Sequence, residues 1–214
     1  MGKTILYSFW ISSCSWRVRL ALNLKCIPYE LKTLLLAQNG EQHSEEYRKI
    51  NPMQQVPSLY IDENIVTESL NIMHYLEETR PQIPLLPNDK IERAKARQIS
   101  EIIVSGIQPY QNLILLTKFP KENQADWASF WINRGFKAVE GILAGCSGKY
   151  SVGDKITIAD CCLIPQIFHA KHRFNVNLEK YPNIQRIDEI LQNHPAFLEA
   201  HPNNQPDKPI QINN

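Results

Sequence analysis

What the chain lacks narrows it first. No apolar run approaches the roughly 20 residues that a membrane helix needs. The opening Met1-Gly2-Lys3-Thr4-Ile5-Leu6-Tyr7 has none of the charge, long apolar stretch and small-residue cleavage site of a secretory leader. Gly2 raises myristoylation, but Leu6 stands where Ser or Thr is wanted. Charge of one sign is missing too. The 23 Lys and Arg against 22 Asp and Glu leave a formal +1, so no basic nucleic-acid surface and no acidic tail is expected. The five cysteines (Cys14, Cys26, Cys146, Cys161, Cys162) are odd in number and irregularly spaced, and three residues after Cys14 stands Arg17, not a second cysteine. A disulfide framework, a dithiol redox centre and a zinc ribbon are thereby disfavoured, and a reducing, cytoplasmic setting is expected. There is no phosphate-cradling glycine loop, nucleophile elbow or zincin motif. His169 and His172 lie three apart with no acidic or thiol partner nearby in sequence, so no metal is expected.

What remains is the profile of a globular protein, 214 residues with 43% apolar and 21% charged side chains. That length accommodates two ordinary domains. Residues 4–9 read as a buried strand, Trp16 to Lys25 as a helix, and Tyr29 to Leu34 as an alternating strand. Glu41 to Ile50 is polar and helical. Ser58 to Asp62 and Ile65 to Thr67 form a hairpin around Asp62-Glu63-Asn64, and Ser69 to Thr79 is helical. The order βαβ, α, ββ, α predicts an α/β domain over residues 1–83. Three prolines in Pro81-Gln82-Ile83-Pro84-Leu85-Leu86-Pro87 suit an extended linker, placed at 84–89. Everything from 90 on has helical spacing, with candidate helices at 90–117, 124–145, 157–173 and 183–193, so an all-α domain is predicted over 90–214. The tail from Pro202, with three prolines and four asparagines, is expected to be extended or mobile.

Four places hold residue types that carry chemistry. Ser12 and Ser13 stand before a helix, where orphan amide N–H groups and the helix dipole stabilise an anion. That anion is the thiolate of Cys14 or of a bound ligand; the plainer alternative is a cap with Cys14 packed beside it. Val56-Pro57 precedes a strand; a cis bond there would turn the Val56 backbone outward to meet an extended peptide. Glu68-Ser69 opens a helix, a capping position that also suits a ligand carboxylate or ammonium. Thr157 and Asp160 have capping-box spacing after Ile156, with Cys161 as a weak staple partner, and a structural role is favoured. Trp127 and Trp131, four apart, read as a packing face.

The order of these pieces is more specific than any one of them. The run Ser12-Ser13-Cys14-Ser15-Trp16-Arg17-Val18-Arg19-Leu20-Ala21-Leu22 closely resembles the signature of zeta-class glutathione transferases, the maleylacetoacetate isomerases. So do Asn51 to Pro57, Leu76 to Pro81, Gly106 to Leu113 and Val152 to Cys162. The resemblance spans Lys3 to Pro206. It implies a thioredoxin-like N-terminal domain followed by an all-helical domain, in a homodimer. It also implies glutathione as cofactor and conversion of maleylacetoacetate to fumarylacetoacetate in tyrosine and phenylalanine catabolism, with α-halo acids as a secondary class.

Residue by residue, the resemblance makes Ser12, Ser13 and Cys14 catalytic, with Ser12 favoured as the thiolate partner. Ser12 to Arg17 would line the glutathione site. Val56 would pair by backbone with the cysteinyl unit ahead of a cis Pro57, Glu68 and Ser69 would hold the γ-glutamyl end, and Gln42 the glycyl end. Gln108 and Asn112 would contribute from the second domain. The family Arg just before Ser-Ser-Cys is here Ile11, so Arg17 and Arg173 become the candidates for a substrate carboxylate. Two rival functions follow: a detoxifying transferase or dehalogenase with weak isomerase activity, and a non-catalytic binding module of the same fold.

Overall fold

The computed structural model describes residues 2–36 and 40–209. The chain divides into two compact units, one holding residues up to Ile83 together with the chain from Pro195 on, the other spanning Pro84–His194.

The first unit is built on a four-stranded sheet in the order β2-β1-β3-β4, with β1 Ile5–Ser8, β2 Glu30–Thr33, β3 Ser58–Ile61 and β4 Asn64–Thr67. Strand β1 runs parallel to β2 and antiparallel to β3, and β3 pairs antiparallel with β4. Helix α1 (Ser13–Leu24) makes the crossover between the parallel strands, as a parallel pair requires. A 3-10 turn at Glu41–His43 and helix α2 (Glu45–Ile50) follow β2, and α3 (Ser69–Thr79) follows β4. Leu6 of β1 and Leu59 of β3 face each other in register and are wholly buried, with Val18, Leu22, Ile72 and Leu76 in the same core. Each such side chain contributes about 1.5–3 kcal/mol by leaving water. At the far end of α3, the buried Lys25 ammonium pairs with Glu77 at 2.6 Å and donates to Arg80 O and Ile83 O, both at 2.8 Å. It thus satisfies the carbonyl of the α3 C-cap, Arg80, and one in the chain just beyond it.

The C-terminal stretch corrects two expectations. Over 195–209 the described residues are not extended, and they group with the first unit rather than the helical one. Helix α9 (Pro195–Ala200) packs on α1, and Pro202–Asn204 forms a 3-10 turn. The polar composition that argued against regular structure is what closes these turns. Asn204 Nδ2 donates to Leu198 O at 2.7 Å, and Gln205 Nε2 donates to Glu199 O at 2.9 Å and to His201 O at 3.1 Å.

The second unit is helical: α4 (Lys90–Gly106), α5 (Leu113–Leu116), α6 (Lys121–Cys146), α7 (Ile158–Phe174) and α8 (Pro182–Leu191). Helix α4 packs on α6 and α7, burying Ile99, Ile103, Phe136, Val139, Leu163 and Ile167. The single helix expected over 90–117 is interrupted by a 3-10 turn at Gln108–Gln111. Pro109 has no N–H for a helical bond, and its ring would meet the carbonyl four residues back. Gly135 in α6 lies where a Cβ would sit 2.3 Å from Ile107 Cγ1, so this crossing needs glycine. Residues 84–89 are not a free linker: Leu85 and Leu86 are buried, and Leu85 O accepts the Ile158 N–H at 2.9 Å. Trp127 and Trp131 do share a packing face, in edge contact with each other, Trp131 stacked on Tyr110 at 3.9 Å.

Candidate active site

Sheet register gathers three of the sequence candidates at one edge. Tyr7 lies opposite Ser58, and Ser58 lies opposite Thr67. The loop leaving β1, the turn entering β3 and the chain leaving β4 therefore emerge together. These carry Ser12, Val56-Pro57 and Glu68-Ser69.

Ser12 is the N-cap of α1. Its Oγ accepts the Ser15 N–H at 3.2 Å, and its own N–H is held by Phe9 O at 3.0 Å. A hydroxyl that accepts from the helix keeps its proton to donate elsewhere. The N–H groups of Ser13 and Cys14, in the first turn, find no acceptor among the described residues. Ser12 and Cys14 are half-buried, while Ser13 is buried. The site thus presents one hydroxyl proton and the positive end of a 12-residue helix to a single place.

Beneath it lies Arg17, wholly buried and, among the described residues, without a carboxylate partner. Its Nη1 donates to Ser69 Oγ at 3.2 Å and lies 3.6 Å from Cys14 Sγ, while among the described residues Nε and Nη2 find no partner. A buried cation left this way is costly to the free protein and favours any anion bound nearby. Arg17, Ser15 and Trp16 are all covered by the surrounding chain. The Arg17 side chain is thus turned toward Ser69 and Cys14.

The Val56–Pro57 bond is cis, and among the described residues the Val56 N–H and C=O have no partner in the chain. The turn before it is braced by residues that sequence reasoning passed over. Asn51 Nδ2 and Tyr47 Oη both donate to Gln55 O at 2.7 Å, and Tyr47 Oη also meets Ser58 Oγ at 2.8 Å. Burial pushes the Tyr47 phenol up, so it stays a neutral donor. The Asn51-Pro52 pair was the one signal that could have flagged this brace. Glu68 holds a positive φ of 66°, a conformation costing on the order of 1 kcal/mol or more for a residue with a Cβ. Its side chain does not cap α3. Such a bend is tolerated where it aims backbone or side chain at something. Gln42 sits in the 3-10 turn after β2, with Nε2 near Leu36 O and a buried Oε1 that has no partner among the described residues.

The remaining candidates belong to the other unit. Gln108 lies in its 3-10 turn, whose Gln111 is locked to Gln166 by reciprocal amide bonds of 3.1 and 3.0 Å. Asn112 spends its Oδ1 on capping α5, accepting the Ile114 N–H at 3.0 Å. Arg173 lies in the last turn of α7 with its guanidinium 4.9 Å from the Phe174 ring, and partial burial lowers its pKa.

The chain matches the glutathione S-transferase N-terminal domain over residues 11–79 and the glutathione S-transferase C-terminal domain over 98–190. It is 59% identical over 213 residues to probable maleylacetoacetate isomerase 2 of Drosophila melanogaster, covering 99% of this chain and 93% of the relative. The chain belongs to the zeta-class glutathione S-transferases. Within that class it is also 50% identical over 212 residues to the maleylacetoacetate isomerase of Mus musculus, covering 99% and 98% of the two chains. Among solved structures, a bacterial zeta-class maleyl pyruvate isomerase superposes with a TM-score of 0.91 at 37% identity, over 96% of this chain and all of that one. A maleylacetoacetate isomerase of Anaeromyxobacter dehalogenans 2CP-1, solved with glutathione in its active site, gives 0.86 at 42% identity, over 97% and 98% of the two chains. The fold class expected from the resemblance, a thioredoxin-like domain with a helical one, is the zeta-class fold seen here.

Proposed function

We propose that this chain is a glutathione-dependent cis–trans isomerase acting on maleylacetoacetate in tyrosine and phenylalanine breakdown, with transferase and α-haloacid activity on the side. One observation carries it: at the N-terminus of α1 stand the Ser12 hydroxyl and the N–H groups of Ser13 and Cys14, free among the described residues, above an Arg17 guanidinium whose Nε and Nη2 find no partner there. The residues present fit an anionic thiol peptide. Val56 offers an unpaired N–H and C=O for a peptide backbone, and Ser69 with α3 offers a carboxylate site at a helix start. Glu68 offers a carboxylate for an ammonium, and Gln42 an amide for the far end. Gln108, Asn112 and Arg173 are further proposed contacts, each open to test by substitution.

Glutathione, when bound, supplies a thiolate that adds reversibly to the activated cis double bond and is released once that bond has re-formed trans. The chain's part is to keep that sulfur ionised. A free thiol has a pKa near 8.5, and each unit of depression is worth about 1.4 kcal/mol. Ser12 donates a hydrogen bond to the sulfur while keeping its proton, the α1 terminus adds its dipole, and Arg17 adds charge from below. The half-buried position of Ser12 and Cys14 limits water, which strengthens all three.

The test is turnover of maleylacetone with glutathione; no isomerisation above the uncatalysed background sinks the proposal. Ile11 favours a second reading, because the family cation at that place is absent. Broad conjugation or dehalogenation with negligible isomerisation selects a detoxifying transferase, and an Ile11→Arg variant that gains isomerase activity supports that choice. Among the described residues no helix is long and apolar enough to cross a membrane. A cytoplasmic homodimer is proposed, checked by sedimentation and by fractionation.

A further inference from the structure

We propose that residues 195–209 are a working part of the site, with Asp207 and Arg19 as positioning residues that fix the loop presenting Ser12. The loop is Phe9-Trp10-Ile11, between β1 and Ser12. It has no regular structure of its own, yet its backbone is tied down by groups far away in sequence. The Trp10 N–H donates to Asp207 Oδ2 at 2.9 Å across 197 residues. Trp10 O accepts from Arg19 Nη2 at 2.9 Å, and Phe9 O accepts from Arg19 Nη1 at 3.4 Å. Phe9 O also holds the Ser12 N–H at 3.0 Å, so a shift of Phe9 is a shift of Ser12.

Arg19 carries the restraint to the C-terminal segment. Besides the loop it donates to Ser8 Oγ at 3.0 Å and, through Nε, to Ala200 O at 3.1 Å. It is wholly buried, has no carboxylate at bonding distance among the described residues, and burial brings its pKa down to about 10. Asp207 supplies the nearby negative charge. One of its oxygens holds Trp10 while the other, Oδ1, is buried without a partner among the described residues. The segment itself is stiff, since Gln205 and Asn204 bind back to α9 and His201 sits edge-on to Trp16 at 5.2 Å. A rigid strap, a buried cation and a charge-assisted bond to one loop amide form a device whose output is where Ser12 points.

The proposal rests on Ser12 being the partner of the sulfur, and its test separates the two ideas. Asp207→Ala and Asp207→Asn are made in the full chain, and amide hydrogen exchange is followed without glutathione. Asp207→Ala is expected to speed exchange at Trp10 to Cys14 about tenfold or more while peptides from β3 and β4 keep their rates. With glutathione, the thiol pKa read from its absorbance should rise and kcat should fall about tenfold, with KM for glutathione little changed. Asp207→Asn retains an acceptor and should recover part of each effect. A lower melting temperature with unchanged loop exchange and unchanged thiol pKa overturns the proposal, leaving the strap a stabilising element only. A loosened loop with unchanged thiol pKa also overturns it if Ser12→Ala shifts that pKa. If Ser12→Ala is silent too, the reading of Ser12 fails and the restraint stands.

Discussion

Two helix N-termini in this chain are made from similar parts and left in opposite states. At α7, Thr157 Oγ accepts the Ala159 N–H, and the fully buried Asp160 takes the N–H groups of Ser151 at 2.9 Å and Thr157 at 2.7 Å plus the Thr157 hydroxyl at 3.1 Å. Burial pushes the Asp160 carboxyl up while these donors pull it back, and the donors have no capacity left for a ligand. At α1, Ser12 takes one N–H, and among the described residues two more stay free while Nε and Nη2 of a buried guanidinium beneath find no partner. The first terminus uses its dipole to hold a loop; the second holds its dipole in reserve. A helix start becomes a site when its donors are left unspent and charge is stored behind them.

Breaking the closed terminus should have the largest effect. Asp160→Ala strands two buried N–H groups, each costing about 1–3 kcal/mol, so stability should fall by about 3 kcal/mol or more. In a thermal melt that is a drop of roughly 6–12 °C for a chain of this size; a change of a degree or two would show the box to be dispensable. Arg17→Met tests the open terminus from below. Removing an uncompensated buried charge should leave the melting temperature unchanged or higher, while weakening glutathione binding about tenfold or more in calorimetry. Loss of stability with unaltered binding would make Arg17 an ordinary structural residue.

Ser12→Ala takes one donor from the open terminus. The thiol pKa of bound glutathione should rise by about one unit and turnover fall about tenfold, since one unit is about 1.4 kcal/mol. Unchanged kinetics would move the role to Ser13 or to the backbone amides. The same two helices sharpen the comparison at their other ends. Both are followed by a residue at positive φ, Cys26 at 55° after α1 and Asn175 at 50° after α7. Asn tolerates that conformation and Cys does so less well. Cys26→Gly should therefore stabilise by about 0.5–1 kcal/mol and Asn175→Gly by less, read in a denaturant titration; equal effects would remove the difference.

Local chemistry was legible before any coordinates. Hydrophobic period and turn residues placed β1 to β4, α1 and α3, and the spacing of Thr157 and Asp160 announced a closed capping box. The Ser12-Ser13-Cys14 run, Val56-Pro57 and Glu68-Ser69 are each short-range signals, which is why they could be read. Two kinds of information were not local. Whether a donor is spent depends on neighbours far off in the chain: packing covers Arg17 completely, and its Nη1 donates to Ser69, 52 residues on. The proline- and asparagine-rich tail looked unstructured because it carries no hydrophobic period. Over residues 202–209 the order comes instead from amide side chains closing turns and from Asp207 meeting Trp10 across 197 residues. The sequence by itself determined which elements form and which residues are able to stabilise an anion. Only the tertiary structure decided which of those donors stay free and which distant charges hold them in place, because burial and long-range pairing are properties of the packed chain.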